Sequence, residues 1–265
     1  SRMKKYLVIG NPIEHSLSPK IHNYWIKKKN IDAVYDKKQI NERDIESVIN
    51  EMKNKKIHGI NVTVPYKKKV IPFVDELSVE ASKSQSVNTI YFQNEKIIGH
   101  NTDISGFELG IKYSKYDIKK KVVLILGAGG VVSSIIIALK KMGAEKIIVS
   151  NRTKSKTEDL KKIFNELEIV DWGVIPNFDM IINATSIGLK NEDGISLDYS
   201  SIGHNKFFYD VIYNPRETIF LKRAKLFGNR AENGKMMFIY QAHQAFTIWH
   251  KIMPDIDDET LNLFK

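Results

Sequence analysis

A run of three lysines at positions 67–69 follows a short segment of β-strand character. Asn61 and Thr63 alternate there with apolar residues, which places both polar side chains on one face of a strand. Pro65 lacks a backbone donor and ends the strand, so the next turn delivers Lys67. Most lysine runs are solvated surface, whereas a lysine beside a polar strand face is also a candidate acid. The residues alone leave both interpretations open.

A glycine-rich turn joins a predicted strand to a predicted helix in the second half of the chain. The apolar run 122–126 does not alternate with polar residues, as is typical of a buried parallel strand, and a helix is predicted over 131–142. Gly127 permits a tight turn, and Gly129 lets a pyrophosphate approach the backbone at the helix N-terminus. An ordinary strand-to-helix turn is the alternative. The third fingerprint position holds Val132 instead of Gly or Ala, which is expected to loosen helix–strand packing. The predicted dinucleotide contacts are Gly127, Ala128, Gly129, Gly130 and Val131.

The end of the following strand carries basic side chains where a carboxylate would indicate NAD. NAD-specific folds place Asp or Glu there to accept hydrogen bonds from the ribose 2′-hydroxyl. This chain has Asn151, Arg152 and Thr153 instead, with Lys154 and Lys156 close behind. A guanidinium can meet a 2′-phosphate with two parallel hydrogen bonds. The segment therefore predicts NADP as the cofactor, and an arginine on a solvated loop is the alternative.

Composition excludes several kinds of protein. The chain has 265 residues, 42% of them hydrophobic and 27% charged, which is typical of one large or two modest globular domains. It has no cysteine, so disulfides, thiolate metal sites and cysteine nucleophiles are excluded. No metal site of another kind is predicted. No signal peptide or membrane span is expected, and Met3 resembles a native start preceded by a two-residue cloning remnant. These features favour a cytoplasmic enzyme that does not bind membranes.

The formal net charge of +10 raises the question of an anionic partner. Basic residues are spread along the chain with acidic residues between them, and lysines greatly outnumber arginines. Arginine is the usual reader of bases and phosphates, and a nucleic-acid surface clusters its basic residues. We therefore expect no nucleic-acid partner.

Strands alternate with helices along the chain, which indicates an α/β fold. Ser18 is predicted to cap the first helix, with Pro19 as its first helical residue. Predicted strands cover residues 5–9, 34–40, 57–64, 87–92, 96–100, 122–126, 146–150, 180–183 and 207–213, and 87–100 should form a hairpin. Predicted helices cover residues 18–29, 42–53, 70–82, 104–115, 131–142 and 234–252, with a short helical tail from 255.

Nine short motifs occur in order over almost the whole chain. They are SLSP at 16–19, NVTVPYK at 61–67, VNT at 87–89, GHNTD at 99–103, GAGG at 127–130, SNRT at 150–153, NATSIG at 183–188, DVIYNP at 210–215 and QAHQAF at 241–246. In this order they resemble the shikimate dehydrogenase family. The resemblance implies reversible, NADPH-dependent reduction of 3-dehydroshikimate to shikimate in aromatic amino-acid biosynthesis.

The resemblance also implies roles for individual residues. Lys67 matches the family's catalytic lysine and Asp103 its partner, so Lys68 and Lys69 are expected to point into solvent. A positioned acid is needed because carbonyl reduction leaves an oxygen that must be protonated. Substrate contacts are implied for Ser16, Ser18, Thr63, Lys67, Asn88, Asp103, Tyr213 and Gln241. Further cofactor contacts are implied for Thr185, Val211 and Gly234. Gln85, Met236 and Gln244 depart from common family residues.

The resemblance implies an N-terminal α/β substrate domain plus a Rossmann-type doubly wound NADP-binding domain. We expect the first to cover 1–102 and 238–265 and the second 103–237, with the active site in a cleft between them that closes on the substrate. The protein is expected to be a monomer or a homodimer. The alternatives are a quinate/shikimate dehydrogenase with relaxed cofactor use, an NADP-binding regulatory protein with an inactive site, and a nucleic-acid-binding protein.

Overall fold

The computed structural model describes residues 3–190 and 194–265. The strands are β1 (Lys4–Gly10), β2 (Ala33–Gln39), β3 (Gly59–Val62), β4 (Glu76–Leu77), β5 (Thr89–Gln93), β6 (Lys96–His100), β7 (Val122–Leu126), β8 (Lys146–Ser150), β9 (Glu168–Ile169), β10 (Met180–Asn183), β11 (Phe207–Asp210) and β12 (Arg230–Asn233). The helices are α1 (Ser18–Lys28), α2 (Ile45–Lys53), α3 (Val79–Ser84), α4 (Asp103–Ser114), α5 (Gly130–Lys141), α6 (Lys154–Ile163), α7 (Tyr199–Ile202), α8 (Ile219–Leu226), α9 (Lys235–His250) and α10 (Asp258–Asn262). Internal contacts divide the chain into a first unit, Ser1–Asp103 with Ile239–Lys265, and a second unit, Ile104–Phe238.

The first unit is built on a mixed sheet with the strand order β2-β1-β3-β5-β6-β4. β1 is parallel to β2 and β3, whereas β3 pairs with β5, and β5 with β6, in the antiparallel direction. The predicted hairpin is confirmed as β5 and β6, and its turn places Asn94 and Glu95 at φ 54° and 61°. Helix α2 buries the apolar stripe Ile45, Val48, Ile49 and Met52, which follows the helical period.

The second unit is an all-parallel sheet with the order β12-β11-β10-β7-β8-β9. Apolar side chains cover both faces of this sheet, as a parallel sheet flanked by helices requires. The chain order reverses between β7 and β10, so the topological switch point of this doubly wound fold lies beyond the carboxyl ends of those strands. The predicted strands 122–126 and 146–150 are confirmed with the same bounds.

Several predicted elements differ from the structure. Residues 70–82 are not mainly helical: a 3₁₀ turn, Ile71–Phe73, leads to β4, because Asp75 and Ser78 donate backbone hydrogen bonds to the neighbouring β6 edge. The strands predicted over 57–64 and 207–213 are confirmed only as β3 and β11, which are shorter. Several further elements were not predicted, namely α6, α7, α8, β9 and β12.

Two local predictions were wrong in a way that concerns the site. Leu17, not Ser18, occupies the cap position of α1, and Ser18 is the first helical residue. Val132 does not loosen the packing of α5, because its side chain is fully buried in the core of the second unit. A valine therefore fills the space that glycine or alanine would occupy in the usual fingerprint.

The described part of the chain has no helix long and apolar enough to cross a membrane. Within the same residues, no group of three or more His, Cys, Asp or Glu side chains is arranged to hold a metal ion.

A buried histidine lies in the core of the first unit. His22 is 1% exposed and stacks on Tyr35 with ring centroids 4.3 Å apart. Neither ring nitrogen has a hydrogen-bond partner among the described residues. Burial, with a smaller contribution from His250, lowers the pKa of His22 to about 3. An unfolded chain takes up this proton at a higher pH than the folded chain does.

We expect His22→Phe to flatten the loss of stability in acid. The native pKa is depressed, so the stabilisation is complete above pH 6.5 and declines as the pH falls from 6.5 toward 3. For each unit by which the pH is lowered, the free energy of unfolding should decrease by roughly 1.4 kcal/mol more in the parent than in the variant. Urea unfolding at several values between pH 4.5 and 8 measures both slopes. Equal slopes would show that His22 does not contribute.

Candidate active site

Four strand ends bring most of the predicted substrate residues to one edge of the first sheet. β1 and β3 are parallel and β5 runs antiparallel to both β3 and β6. The carboxyl ends of β1, β3 and β6 and the amino end of β5 therefore share an edge. The segments 16–18, 63–67 and 101–103 follow those carboxyl ends, and Asn88 precedes β5. Chain direction alone thus gathers residues that are far apart in sequence.

The centre of this edge is an ion pair between Lys67 and Asp103. Lys67 Nζ lies 2.6 Å from Asp103 Oδ2, and the two side chains are only 13% and 7% exposed. Lys67 stands on the turn after β3, and Asp103 is the first residue of α4. Limited solvent strengthens the attraction relative to an exposed pair. The carboxylate therefore fixes the lysine ammonium at the sheet edge.

Asn88 fixes the other oxygen of this carboxylate. Its Nδ2 donates to Asp103 Oδ1 at 3.2 Å and to Thr102 Oγ1 at 2.8 Å, while its Oδ1 accepts from the Thr102 backbone N–H at 2.7 Å. Because Oδ1 accepts a backbone bond, the amide has only one orientation that satisfies the network. The Asn88 amide also lies 3.5 Å from Gln241 Oε1, so four predicted site residues form one hydrogen-bonded group.

Thr63 and the serine pair follow the carboxyl ends of the neighbouring strands β3 and β1. The Thr63 backbone N–H donates to Ile9 O at 2.9 Å, which holds the segment after β3 against the end of β1. Ser16 Oγ accepts from the Ser18 backbone N–H at 3.2 Å at the start of α1. Ser16, and not Ser18 as predicted, therefore accepts a hydrogen bond from the first helical turn. Thr63 and Ser16 are half-buried, while Ser18 is 8% exposed.

The other two lysines of the run differ from Lys67. Lys68 and Lys69 are exposed, which confirms the prediction that they point into solvent. Lys69 Nζ lies 2.5 Å from Glu42 Oε1 in a pair whose two side chains are about half exposed. Such surface pairs contribute little to stability. Lys67 joins the polar network through Asp103, whereas Lys69 pairs with Glu42 at the surface.

Tyr213, which we also predicted as a substrate contact, does not belong to the first unit. It belongs to the second unit, where its ring stacks on Phe238 with centroids 4.3 Å apart. Its predicted substrate contact stays a prediction.

The glycine turn has the shape that a pyrophosphate needs. Gly127 has φ +121°, and a Cβ there would lie 2.8 Å from the Ala184 carbonyl oxygen, so glycine is required. A Cβ at Gly129, in contrast, would meet no atom within 4 Å. Gly129 precedes α5, whose first turn has neither a side-chain cap nor an acidic residue. Backbone N–H groups of Gly130 and Val131 are therefore suited to an anion in the open space at the switch point.

Basic residues follow β8 on the same carboxyl edge of the second sheet. Arg152, Thr153, Lys154 and Lys156 are exposed, and no acidic residue occurs between positions 150 and 157. The half-buried Asn151 donates from Nδ2 to the Thr153 carbonyl at 3.1 Å, which shapes the turn into α6. The arrangement fits a phosphate beyond the end of β8.

The loops after β10 and β11 complete this edge. Thr185 donates from Oγ1 to Asn183 Oδ1 at 2.6 Å and accepts from the Ile187 N–H at 3.1 Å. A Cβ at Gly234 would lie 2.1 Å from the Val211 carbonyl oxygen, so glycine permits the close approach of these two segments. Thr185, Val211 and Gly234 thus all lie on loops beyond the carboxyl ends of parallel strands.

A buried carboxylate that we did not predict as functional supports both loops. Asp210 is fully buried; it accepts from Asn183 Nδ2 at 3.1 Å, Thr218 Oγ1 at 2.7 Å and the Ile212 N–H at 3.0 Å. Burial raises its pKa to about 6, against the opposing effect of these hydrogen bonds. The sequence signal was an Asn and an Asp at the ends of two apolar strands, within the NATSIG and DVIYNP motifs.

We expect Asp103→Asn to lower kcat/KM for the reaction proposed below by roughly tenfold. Hydrogen bonds to charged groups contribute about 1.5–3 kcal/mol, and asparagine keeps one oxygen for Lys67, which favours the lower end. The pH–rate profile should also change, because the group beside the lysine no longer carries a charge. Asp36→Asn, on an exposed position of β2, is the matched control. An unchanged kcat/KM and pH profile would show that Asp103 has no role in the reaction.

The doubly wound sheet and its glycine turn place the second unit in the Rossmann class of folds. Residues 8–90 match the family described as shikimate dehydrogenase substrate binding domain, and residues 110–211 match shikimate / quinate 5-dehydrogenase. The chain is 62% identical over 260 residues to the shikimate dehydrogenase (NADP(+)) of Pelagibacter ubique, with 98% of each chain covered. The chain therefore belongs to the shikimate dehydrogenase family, which confirms the resemblance.

Solved structures agree with this assignment. The crystal structure of shikimate dehydrogenase from Aquifex aeolicus is 39% identical, with a TM-score of 0.88 over 96% of this chain and 94% of that one. The enzyme from Thermus thermophilus, solved in complex with NADP(H) and shikimate, is 29% identical, with a TM-score of 0.86 over 96% and 95%. The predicted fold class, with two α/β parts, is confirmed by these structures.

Proposed function

We propose that this protein is an NADP-dependent oxidoreductase that reversibly reduces 3-dehydroshikimate to shikimate, a step of aromatic amino-acid biosynthesis. The observation that carries the proposal is the shielded Lys67–Asp103 pair, 2.6 Å apart and joined to Asn88. A lysine held by a carboxylate beside hydroxyl and amide groups suits a carbonyl in a small polyhydroxylated ring. The 62% identity to a shikimate dehydrogenase (NADP(+)) supports this choice of substrate and cofactor.

Lys67 acts as the acid in this proposal. NADPH, when bound, supplies the hydride that adds to the carbonyl carbon. Lys67 Nζ donates a hydrogen bond to the carbonyl oxygen and then a proton, so this oxygen stays bonded to carbon and becomes a neutral hydroxyl. Asp103 keeps the ammonium in place, and Asn88 keeps Asp103 in place. In the reverse direction Lys67 accepts the hydroxyl proton.

The substrate's remaining groups match polar residues of the same edge. We assign the ring carboxylate to Ser16 and Ser18 at the start of α1, because hydroxyls and a helix N-terminus favour an anion. Thr63, Asn88 and Gln241 are assigned to the ring hydroxyls, and Tyr213 is retained as a further contact. Metal chemistry is not part of this assignment.

The cofactor residues lie along the carboxyl edge of the second sheet. The pyrophosphate is assigned to the turn from Gly127 to Val131, including Ala128. The 2′-phosphate is assigned to Arg152 with its neighbours Asn151, Thr153, Lys154 and Lys156. Thr185, Val211 and Gly234 are assigned to the nicotinamide end. Both the open position at Gly129 and the lack of an acidic residue near Arg152 support this assignment.

We further infer that the protein works in the cytoplasm as a monomer or a homodimer, with small molecules as its ligands. Light scattering of the purified protein would measure the oligomeric state.

Turnover of shikimate with NADP, followed by the absorbance of NADPH, tests the proposed function. Quinate and NAD are assayed beside them, since a quinate/shikimate dehydrogenase with relaxed cofactor use would turn over these as well. The proposal requires shikimate with NADP to be the preferred combination. Nucleotide binding without turnover of either acid would instead indicate a regulatory protein.

A further inference from the structure

Arg152 contacts an aromatic side chain, and this contact was not predicted from the sequence. Its guanidinium carbon lies 5.4 Å from the centroid of the Trp172 ring. A guanidinium within about 6 Å of an indole is attracted to the ring electrons. Trp172 lies 20 positions further along the chain and belongs to none of the family motifs.

The strand order explains why these two residues meet. Arg152 follows β8 and Trp172 follows β9, and these two strands are parallel neighbours with Val149 paired to Ile169. Both side chains therefore leave the same edge of the sheet, where the second unit has its basic residues. Trp172 is half-buried and packs against the core beneath this edge, whereas Arg152 is exposed. A ring that packs on the core thus contacts an exposed side chain.

An ion pair and a cation–π contact would leave Arg152 with different capacities to bind a phosphate. An ion pair with a carboxylate would also restrain Arg152, but it would use N–H donors and repel a phosphate. Among residues 3–190 and 194–265, no carboxylate forms an ion pair with Arg152. A cation–π contact uses none of the five N–H donors of the guanidinium, so these donors stay available to a ligand.

We infer that Trp172 is a positioning residue for cofactor choice: it holds Arg152 ready for a 2′-phosphate and so contributes to the preference for NADP over NAD. The inference rests on the proposed function for the identity of the phosphate. Pre-ordering the arginine reduces the conformational entropy lost when the phosphate binds. Trp172 itself does not touch the phosphate.

Binding of two half-cofactors tests this role without any turnover. Adenosine 2′,5′-bisphosphate carries the 2′-phosphate and adenosine 5′-monophosphate does not, and calorimetry gives the Kd of each. Trp172→Leu should weaken the bisphosphate by about two- to fivefold, the range expected for an exposed cation–π contact, and leave the monophosphate unchanged. Trp172→Phe keeps a weaker ring and should show a smaller loss of the same kind.

A double-mutant cycle separates positioning from other roles. In an Arg152→Ala background, Trp172→Leu should cause no further loss of bisphosphate binding. Equal weakening of both nucleotides by either Trp172 variant would overturn the inference, because the ring would then contact adenine or support the loop. A loss that persists without Arg152 would overturn it as well. Should Trp172→Leu fail to fold, the phenylalanine variant carries the same comparison.

The outcomes also distinguish this inference from the proposed function. Selective loss of bisphosphate binding with no turnover of shikimate would leave Trp172 in its role and refute the proposed reaction. Turnover of shikimate with NADP, together with an equal weakening of bisphosphate and monophosphate binding in the Trp172 variants, would support the proposed reaction and refute the role of Trp172. A parent protein that does not discriminate the two nucleotides overturns the role of Trp172 directly.

Discussion

Lys67→Ala should lower kcat for shikimate oxidation by about 10²- to 10⁴-fold, the range typical for loss of a positioned acid or base. Alanine removes the ammonium that lies 2.6 Å from the Asp103 carboxylate. Binding of NADP should stay nearly intact, because every residue assigned to the cofactor lies in the second unit and Lys67 in the first. Steady-state kinetics and calorimetric titration with NADP measure the two effects separately.

The same run of lysines provides the control for this variant. Lys69→Ala removes an equal side chain two residues away and breaks only the exposed pair with Glu42. It should keep the kcat and stability of the parent, since exposed pairs contribute little. A wild-type kcat in Lys67→Ala would reject the assigned role, and an equal loss in both variants would mean that positive charge, not position, matters.

The stability of Lys67→Ala needs its own measurement. Removing one member of a shielded pair leaves Asp103 without its cation, which is a recognised cause of destabilisation. Thermal unfolding therefore has to show that the variant is folded at the assay temperature. Lys67→Met, which keeps most of the volume without the ammonium, should lose activity to the same extent.

Buried parallel strands were the part of the fold most accessible from sequence. The runs 122–126 and 146–150 were predicted with their bounds because the first is continuously apolar and ends at glycine, and the second has an apolar centre, 147–149, between Lys146 and Ser150. Residues 70–82 have apolar positions compatible with a helix, but their backbone instead pairs with β6 through Asp75 and Ser78. Local pattern cannot reveal that pairing, because the paired residues, such as Glu76 and Ile98, are 22 positions apart in the chain.

In the candidate site, too, some features could be predicted from local sequence and others could not. The glycine turn and the basic segment after β8 follow from local chemistry, because strand, turn and helix are contiguous. The pairing of Lys67 with Asp103, 36 residues apart, was predicted only through the family motifs, and its 2.6 Å distance depends on strand direction at the sheet edge. The hydrogen bonds between Asn88 and Thr102 and the contact of Arg152 with Trp172 had no signal in spacing. The roles assigned to these residues stay predictions.

Arg152→Ala should raise the KM for NADP by roughly one to two powers of ten and leave the KM for NAD nearly unchanged. A charge-assisted hydrogen bond contributes on the order of 1.5 to 3 kcal/mol, which corresponds to that range. NAD lacks the 2′-phosphate, so it loses nothing when the guanidinium is removed. Lys154 and Lys156 are exposed in the same turn, and any share they take of the phosphate moves the result toward the lower limit.

The control for Arg152 is an arginine of the same unit that lies away from the cofactor residues. Arg223 is exposed in the last turn of α8, so Arg223→Ala changes the net charge equally without touching the edge beyond β8. If only general electrostatic attraction of NADP mattered, both variants would raise the KM for NADP alike. The difference between each variant and the parent would then vanish at high salt. A direct contact predicts a large effect in Arg152→Ala alone. Equal weakening of NADP and NAD in Arg152→Ala would instead show that the arginine supports the loop and does not read the phosphate.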